Sequence, residues 1–288
     1  SPEMALPLVV GPRRKPVVTH IHGAANPLSV SRYPWARASL LRRVFRGLQR
    51  FGVARSTLVL SVDDAGLRLA AGGGGRGPRT ALLPVCVDTD LFARGDAAPA
   101  RAALGLPSSA RVLVFVGRLE AAKGTGRLVD AFADLVRQNE SVVLVLIGDG
   151  SQRSLMTEQA RRLGVLDRVV FAGWVDHDTL PRWFQAADVL LLPSDDEGLP
   201  TVVIEALSCG VPVVVTAVGG LPTLITDGEN GILLRGRTAG ELASATSEAL
   251  HRDWAEEKLT ASVTAYSAGS VAATVGVLLS QAAAAGHG

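Results

Sequence analysis

Short apolar runs rich in Val, Leu and Ile punctuate the chain at residues 16–22, 58–61, 112–116, 142–147, 169–171, 189–192 and 211–215. Most are separated by ten or more residues whose apolar positions recur at helical spacing. Short β-branched runs alternating with helical patterns predict parallel strands joined by crossover helices, an α/β fold. Between Asp90 and Ala110 the chain is broken by Gly95, Pro99, Gly105 and Pro107, which reads as a seam between two domains in a chain of 288 residues. The four glycines at 72–75 read as a surface loop, because neither GK[ST] nor a glycine fingerprint opening a helix follows them.

Composition narrows the picture. Hydrophobic residues make up 48% of the chain and aromatic residues 5%, so small aliphatic side chains must build the interior and an aromatic-rich β sandwich is disfavoured. Basic and acidic residues number 29 and 27, too even a balance for wholesale nucleic-acid binding, and no nucleic-acid partner is expected. Cys86 and Cys209 show neither CxxC nor Cys/His ligand spacing, so neither a disulfide framework nor a zinc site is indicated. No apolar run approaches the ~18 residues that a membrane span needs. The chain begins Ser-Pro-Glu with no secretory pattern, and a soluble, cytoplasmic protein is the expectation.

Two segments carry candidate chemistry. The run 112–116 leads into Gly117-Arg-Leu-Glu-Ala-Ala-Lys-Gly124, which places a guanidinium and an ammonium at the carboxyl end of a predicted strand, where open α/β sheets bind ligands. Lysine occurs only at Lys15, Lys123 and Lys258, so a lysine beside Gly124 stands out from an arginine-rich background. Arg118 as a planar fork and Lys123 as a point charge suit a diphosphate; a solvated loop with a surface ion pair is the plainer alternative. The second segment follows the run 189–192. In it Glu197 and Glu205 stand eight apart, Gly198 permits a tight turn, Pro200 can open a helix and Gly210 can end it. Free amides of the first helical turn, from Leu199, Thr201 and Val202, would form an anion site beside the two carboxylates, which suit sugar or ribose hydroxyls. Taken singly, Glu197 could be a helix-dipole partner and Glu205 a solvated helix face.

These segments belong to a longer series: Val116 to Gly124, Ile147-Gly-Asp-Gly150, Phe171-Ala-Gly-Trp-Val175, Ala187-Asp-Val-Leu-Leu-Leu-Pro-Ser194, the pair Glu197 and Glu205, and Gly219-Gly220 through Asp227-Gly-Glu-Asn-Gly231. In that order they resemble the retaining, nucleotide-sugar-dependent glycosyltransferases of the GT-B fold, family 4, the glycosyltransferase group 1 type. More weakly, Val17-Val-Thr-His-Ile-His-Gly23 resembles the family's His-Gly strand, and Tyr266-Ser267 the start of its terminal helices. The resemblance implies two Rossmann-like domains with parallel sheets, the first incomplete. Residues 1–105 would be a partial acceptor-side domain with linker, 106–262 the donor-binding domain, and 263–288 a helix crossing back to the first. It implies transfer of a hexosyl group from a nucleotide-diphosphate sugar to a hydroxyl acceptor with retention. The acceptor would be a sugar, glycan or glycolipid precursor in polysaccharide or glycolipid biosynthesis. In that scheme His22, Arg118, Lys123 and Glu197 carry catalysis. Gly117, Gly148, Val175, Gly198, Leu199, Thr201, Val202 and Glu205 bind the donor, with Glu205 on the ribose diol, and no metal or other cofactor is needed. The sequence also departs from the family's pattern. It lacks the opening strand with its Gly-rich loop, has Val85-Cys86 for the usual Asn-Gly, and has Thr223 for a customary glutamate.

His20 and His22 fall on one face of a predicted strand, yet no third metal ligand is evident beside them. The stretch 35–50, which opens on Trp35, gathers Leu40, Leu41, Val44, Phe45 and Leu48 on one helical face and Arg42, Arg43, Arg46 and Arg50 mostly on others. Such a helix can dock peripherally on anionic lipid at the inner face of a membrane or pack its apolar side on the sheet. Trp174 is suited either to line a base pocket or to fill the core. Two further functions share the architecture: a chain that binds nucleotide-sugar without turning it over, and a sugar-nucleotide epimerase.

Overall fold

The computed structural model describes residues 18–21, 53, 56–61, 79–83, 85–138 and 141–285. His22, the stretch from Trp35 to Arg50 and the glycine run 72–75 lie outside the described residues. In chain order the elements are β1 (Val18–Ile21), β2 (Leu58–Ser61), β3 (Arg79–Leu82), α1 (Ala97–Leu104), β4 (Arg111–Val116), α2 (Thr125–Arg137), β5 (Val142–Ile147), α3 (Arg153–Arg162), β6 (Val169–Gly173), α4 (Leu180–Ala186), β7 (Val189–Leu192), α5 (Thr201–Ser208), β8 (Val213–Thr216), α6 (Leu221–Leu224), β9 (Gly231–Leu234), α7 (Ala239–His251), α8 (Glu256–Ala261) and α9 (Ala268–Ala285). The predicted alternation is therefore present. Two strands that the pattern does not announce join it: β3, a short and largely exposed Arg-Thr-Ala-Leu, and β9, which begins on the last glycine of a turn.

The chain forms two compact units, residues 1–85 with 269–288, and residues 86–268. In the first, β1, β2 and β3 pair in parallel in that order, Val18 opposite Leu58 and Leu58 opposite Arg79. All four residues of β2 are buried. Leu58 and Leu60 share an apolar cluster with Ala282 and Leu278 of α9, together with Ala81 and Leu83.

The second unit holds six parallel strands in the order β6-β5-β4-β7-β8-β9. Strands β5, β7 and β8 are buried from end to end and β4 over residues 112–115, as a sheet covered on both faces requires. On α2, Leu128, Val129, Ala131, Phe132 and Leu135 are buried, which is the apolar stripe of a helix laid on a sheet. At the amino ends of the strands Asp188 is a structural staple. It accepts hydrogen bonds from Arg101 Nη2 at 2.6 Å, Arg111 Nη1 at 2.9 Å and the Val112 amide at 2.6 Å.

Seams were expected at 105/106 and 262/263, whereas the compact units part at 85/86 and 268/269. The difference has a physical source. The Val87 amide donates to the Tyr266 carbonyl at 2.9 Å, Phe92 is fully buried 6.0 Å from the ring of Phe184, and α1 packs on α4. Among the described residues no helix is long and apolar enough to cross a membrane.

Candidate active site

Strand order in the second unit runs outward in both directions from β4 and β7. Between their carboxyl ends lies the switch point, the place where open α/β sheets bind ligands. The loops leaving β4 and β7, residues 117–124 and 193–200, meet there. Lys123 Nζ donates to Glu197 Oε1 at 2.7 Å; the Glu197 side chain is 8% exposed and that of Lys123 21%. Around this pair the two loops are tied. The Asp195 amide donates to the Ala122 carbonyl at 2.8 Å, and Arg127 Nε donates to the Pro193 carbonyl at 3.0 Å. Arg127 also ion-pairs with Asp195, which Arg237 approaches at 3.4 Å from beyond β9. Gly124 has φ +70° and a Cβ there would collide with the Pro193 carbonyl oxygen, so the loop can close only on glycine. The same holds at a second glycine. Gly219 has φ +56° and a Cβ there would collide with the Glu197 carbonyl oxygen, and the Gly220 amide donates to the Gly198 carbonyl at 2.7 Å.

On the other side of β4, backbone hydrogen bonds stitch the next loops together. Gly117 N donates to Ile147 O at 2.9 Å, Leu119 N to Asp149 O at 2.9 Å and Gly148 N to Gly173 O at 2.7 Å. Arg118 is exposed and its guanidinium makes no hydrogen bond or ion pair among the described residues. The neighbouring Glu120 carboxyl lies below the usual range because the Ser151 hydroxyl, at 2.7 Å, and amide both donate to it, with a smaller contribution from the Arg118 charge. Val175 is half-buried, and Trp174 is 84% exposed, which removes the core reading of that ring.

Helix α5 starts after Pro200, as its sequence suggests, and Gly210 lies just beyond its end with φ +78°. The first of its amides to reach a backbone acceptor is Val203, which donates to Pro200 O at 3.2 Å. Among the described residues no backbone carbonyl accepts from Leu199, Thr201 or Val202. Glu205, one and a half turns in, is buried rather than on a solvated face. Its neighbour is His177, from the turn before α4, with Nε2 3.6 Å from Oε1. Burial pushes the Glu205 carboxyl up, while the neighbouring His177 and Thr201 side chains act the other way, His177 chiefly through its charge. The Cys209 thiol, one turn further and also buried, is pushed up to about 12 by burial and by Glu205. The two glutamates thus have different basic partners, Lys123 for Glu197 and His177 for Glu205. No sequence signal marks His177, a lone histidine in a polar turn whose partner is distant in sequence. Among the described residues no group of three His, Cys, Asp or Glu side chains is arranged to hold a metal ion.

Residues 96–266 match the model of the family described as glycosyl transferases group 1. The chain belongs to this family. Among group 1 relatives, it is 36% identical over 211 residues to D-inositol 3-phosphate glycosyltransferase 2 of Catenulispora acidiphila, covering 69% of this chain and 49% of that protein. It is 36% identical over 198 residues to D-inositol 3-phosphate glycosyltransferase of Mycobacterium tuberculosis strain F11, covering 67% and 40%. The chain therefore spans half or less of the length of these relatives. Solved structures of the same fold include sucrose-phosphate synthase from Thermosynechococcus elongatus, with TM-score 0.71, 26% identity, and coverage of 93% of this chain and 68% of that one. Anabaena HepE in complex with UDP-glucose matches with TM-score 0.71, 26% identity, and coverage of 93% and 73%. The fold is of the GT-B type, α/β with Rossmann-like domains. Within this group 1 domain several recurring motif residues are architectural. Asn230 is buried, accepting from the Thr226 amide at 2.8 Å and donating to the Leu224 carbonyl at 3.1 Å, and Asp227 accepts from the Leu233 amide at 3.0 Å.

Proposed function

We propose that this chain binds a nucleotide-diphosphate sugar at the switch point and transfers its hexosyl group to a hydroxyl acceptor with retention of configuration. The observation that carries the reading is the Lys123–Glu197 pair, a nearly buried carboxylate and an ammonium held across two loops at the carboxyl ends of β4 and β7. An ammonium has three donors, and Glu197 uses one. The others, with the exposed Arg118 guanidinium, are available to a diphosphate whose charge grows as the glycosidic bond breaks, where preorganised electrostatics contributes most. The Leu199, Thr201 and Val202 amides extend the anion site. Glu197 holds sugar hydroxyls and Glu205 takes the ribose diol, while Gly117, Gly148 and Gly198 let backbone approach the ligand closely. Val175 presents backbone to the base. His22 belongs to this scheme through the family resemblance, as a group on the donor sugar. UDP-glucose bound to Anabaena HepE supports the donor class. With Arg118 and Lys123 supplying positive charge to the diphosphate, no metal ion is required in this reading.

The test is a single-turnover incubation with UDP-glucose, GDP-mannose and ADP-glucose plus pooled hydroxyl acceptors, following nucleoside diphosphate release and sugar transfer. Transfer that Lys123→Ala abolishes supports the reading. Lysine-dependent binding without transfer reduces it to donor binding, and an isomerised nucleotide sugar formed without acceptor points to an epimerase.

A further inference from the structure

Glu205 presents a physical problem that its own helix does not solve. Its side chain is 8% exposed, burial favours the neutral acid, and a neutral acid is a poorer double acceptor for a vicinal diol than a carboxylate. Charged help must come from a neighbouring element. Strand β8, which packs against α5, carries no titratable side chain over Val213–Thr216. Helix α8, also packed on α5, carries Glu256, Glu257 and Lys258, but all three are exposed and Glu256 is ion-paired with Arg94. Within α5 and just beyond it stand the uncharged Thr201 hydroxyl and the protonated Cys209 thiol. The group that reaches the carboxylate is His177, 3.6 Å away.

His177 is itself held. Its ring stands edge-on to Phe92, with centroids 5.0 Å apart and planes at 68°, and Phe92 is fully buried and fixed in turn against Phe184. The imidazole side chain nonetheless remains 61% exposed. One edge thus faces a buried carboxylate while the rest of the ring faces solvent, and an aromatic wall limits the ring's rotation.

We propose that His177 is a positioning residue for the donor site, holding the buried Glu205 carboxylate ionised and oriented to receive the vicinal hydroxyls of the ribose. The proposal rests on the assignment of Glu205 to the donor made above. It implies that donor binding weakens as pH falls through the titration of Glu205, and that removing His177 moves this acid limb to higher pH, because only burial then acts strongly on the carboxyl. A histidine that merely packs against Phe92 would not shift the limb.

The experiment measures UDP, GDP and ADP binding to the full chain by calorimetry from about pH 5 to about pH 8, for wild type, His177→Ala, His177→Gln and Glu205→Gln. The expected result at neutral pH is about tenfold weaker binding for His177→Ala, with its acid limb raised by about one unit and affinity partly restored in His177→Gln, which keeps an N–H donor. Weakening by Glu205→Gln together with a His177→Ala protein that binds like wild type, limb unmoved, overturns the role of His177 alone. Unchanged binding in Glu205→Gln overturns the assignment of Glu205, and no binding of any diphosphate overturns the donor site as a whole; either result overturns this proposal too.

Discussion

At the scale of single residues, function and stability pull against each other at Glu205. A carboxyl whose titration is raised by burial favours its protonated form in the folded chain, so the folded state gains stability as pH falls toward the ordinary glutamate value of 4.5 and loses it as pH rises through the raised value. Glu205→Gln is therefore expected to raise the melting temperature at neutral pH while weakening nucleotide binding. The difference from wild type should shrink on acidification, which thermal scans at several pH values check. Lys123 poses the reverse case. Lys123→Ala leaves the Glu197 carboxylate nearly buried without its partner and is expected to cost about 2 kcal/mol of stability as well as nucleotide affinity; denaturant melts read the first and calorimetry the second. The cysteines separate by environment. Cys86 is exposed, whereas Cys209 is buried with its thiol pushed up to about 12. A thiol reagent should modify one site quickly in the native chain and the second only on unfolding, and Cys86→Ser should remove the fast phase.

At the scale of elements, the site depends on loops that lock together through glycines. Gly124→Ala must leave the left-handed region or push against Pro193, and is expected to cost about 2 kcal/mol and to abolish nucleotide binding by separating Lys123 from Glu197. A denaturation curve and a titration on the same protein check it. What the sequence reveals follows the same physics. Strands β5 and β7 are visible because a fully buried parallel strand needs an unbroken apolar run, as Val142–Ile147 supplies, and β4 because its buried stretch 112–115 leaves the same mark. Strand β3 is missed because its residues are mostly exposed, and β9 because four residues behind a Gly-rich turn carry no period. Arg118 and Lys123 stand out because they follow an apolar run beside glycines, lysine being rare in this chain, and Glu197 and Glu205 because Gly198, Pro200 and Gly210 frame the loop and helix that carry them. His177 is invisible because its meaning lies in a contact between a turn and helix α5, and neither Phe92 nor Glu205 is near it in sequence.

At the scale of the whole chain, the described candidate residues from Gly117 to Glu205, His177 included, lie in the second compact unit. A fragment comprising residues 86–268 is expected to fold and to bind nucleoside diphosphate within about threefold of the full chain, while failing to transfer sugar; calorimetry beside a transfer assay decides this. The first unit is built differently, because the apolar face of β2 is covered by α9, a helix encoded after the entire second unit. On the ribosome, residues 1–85 must therefore wait with that face uncovered while 183 residues are made and fold, which at about 5–20 residues per second is roughly ten seconds or more of exposure to chaperones and to aggregation. Substitutions that weaken the α9 contact, such as Leu278→Asp, should thus lower the yield of soluble protein in cells far more than they lower nucleotide affinity in whatever survives.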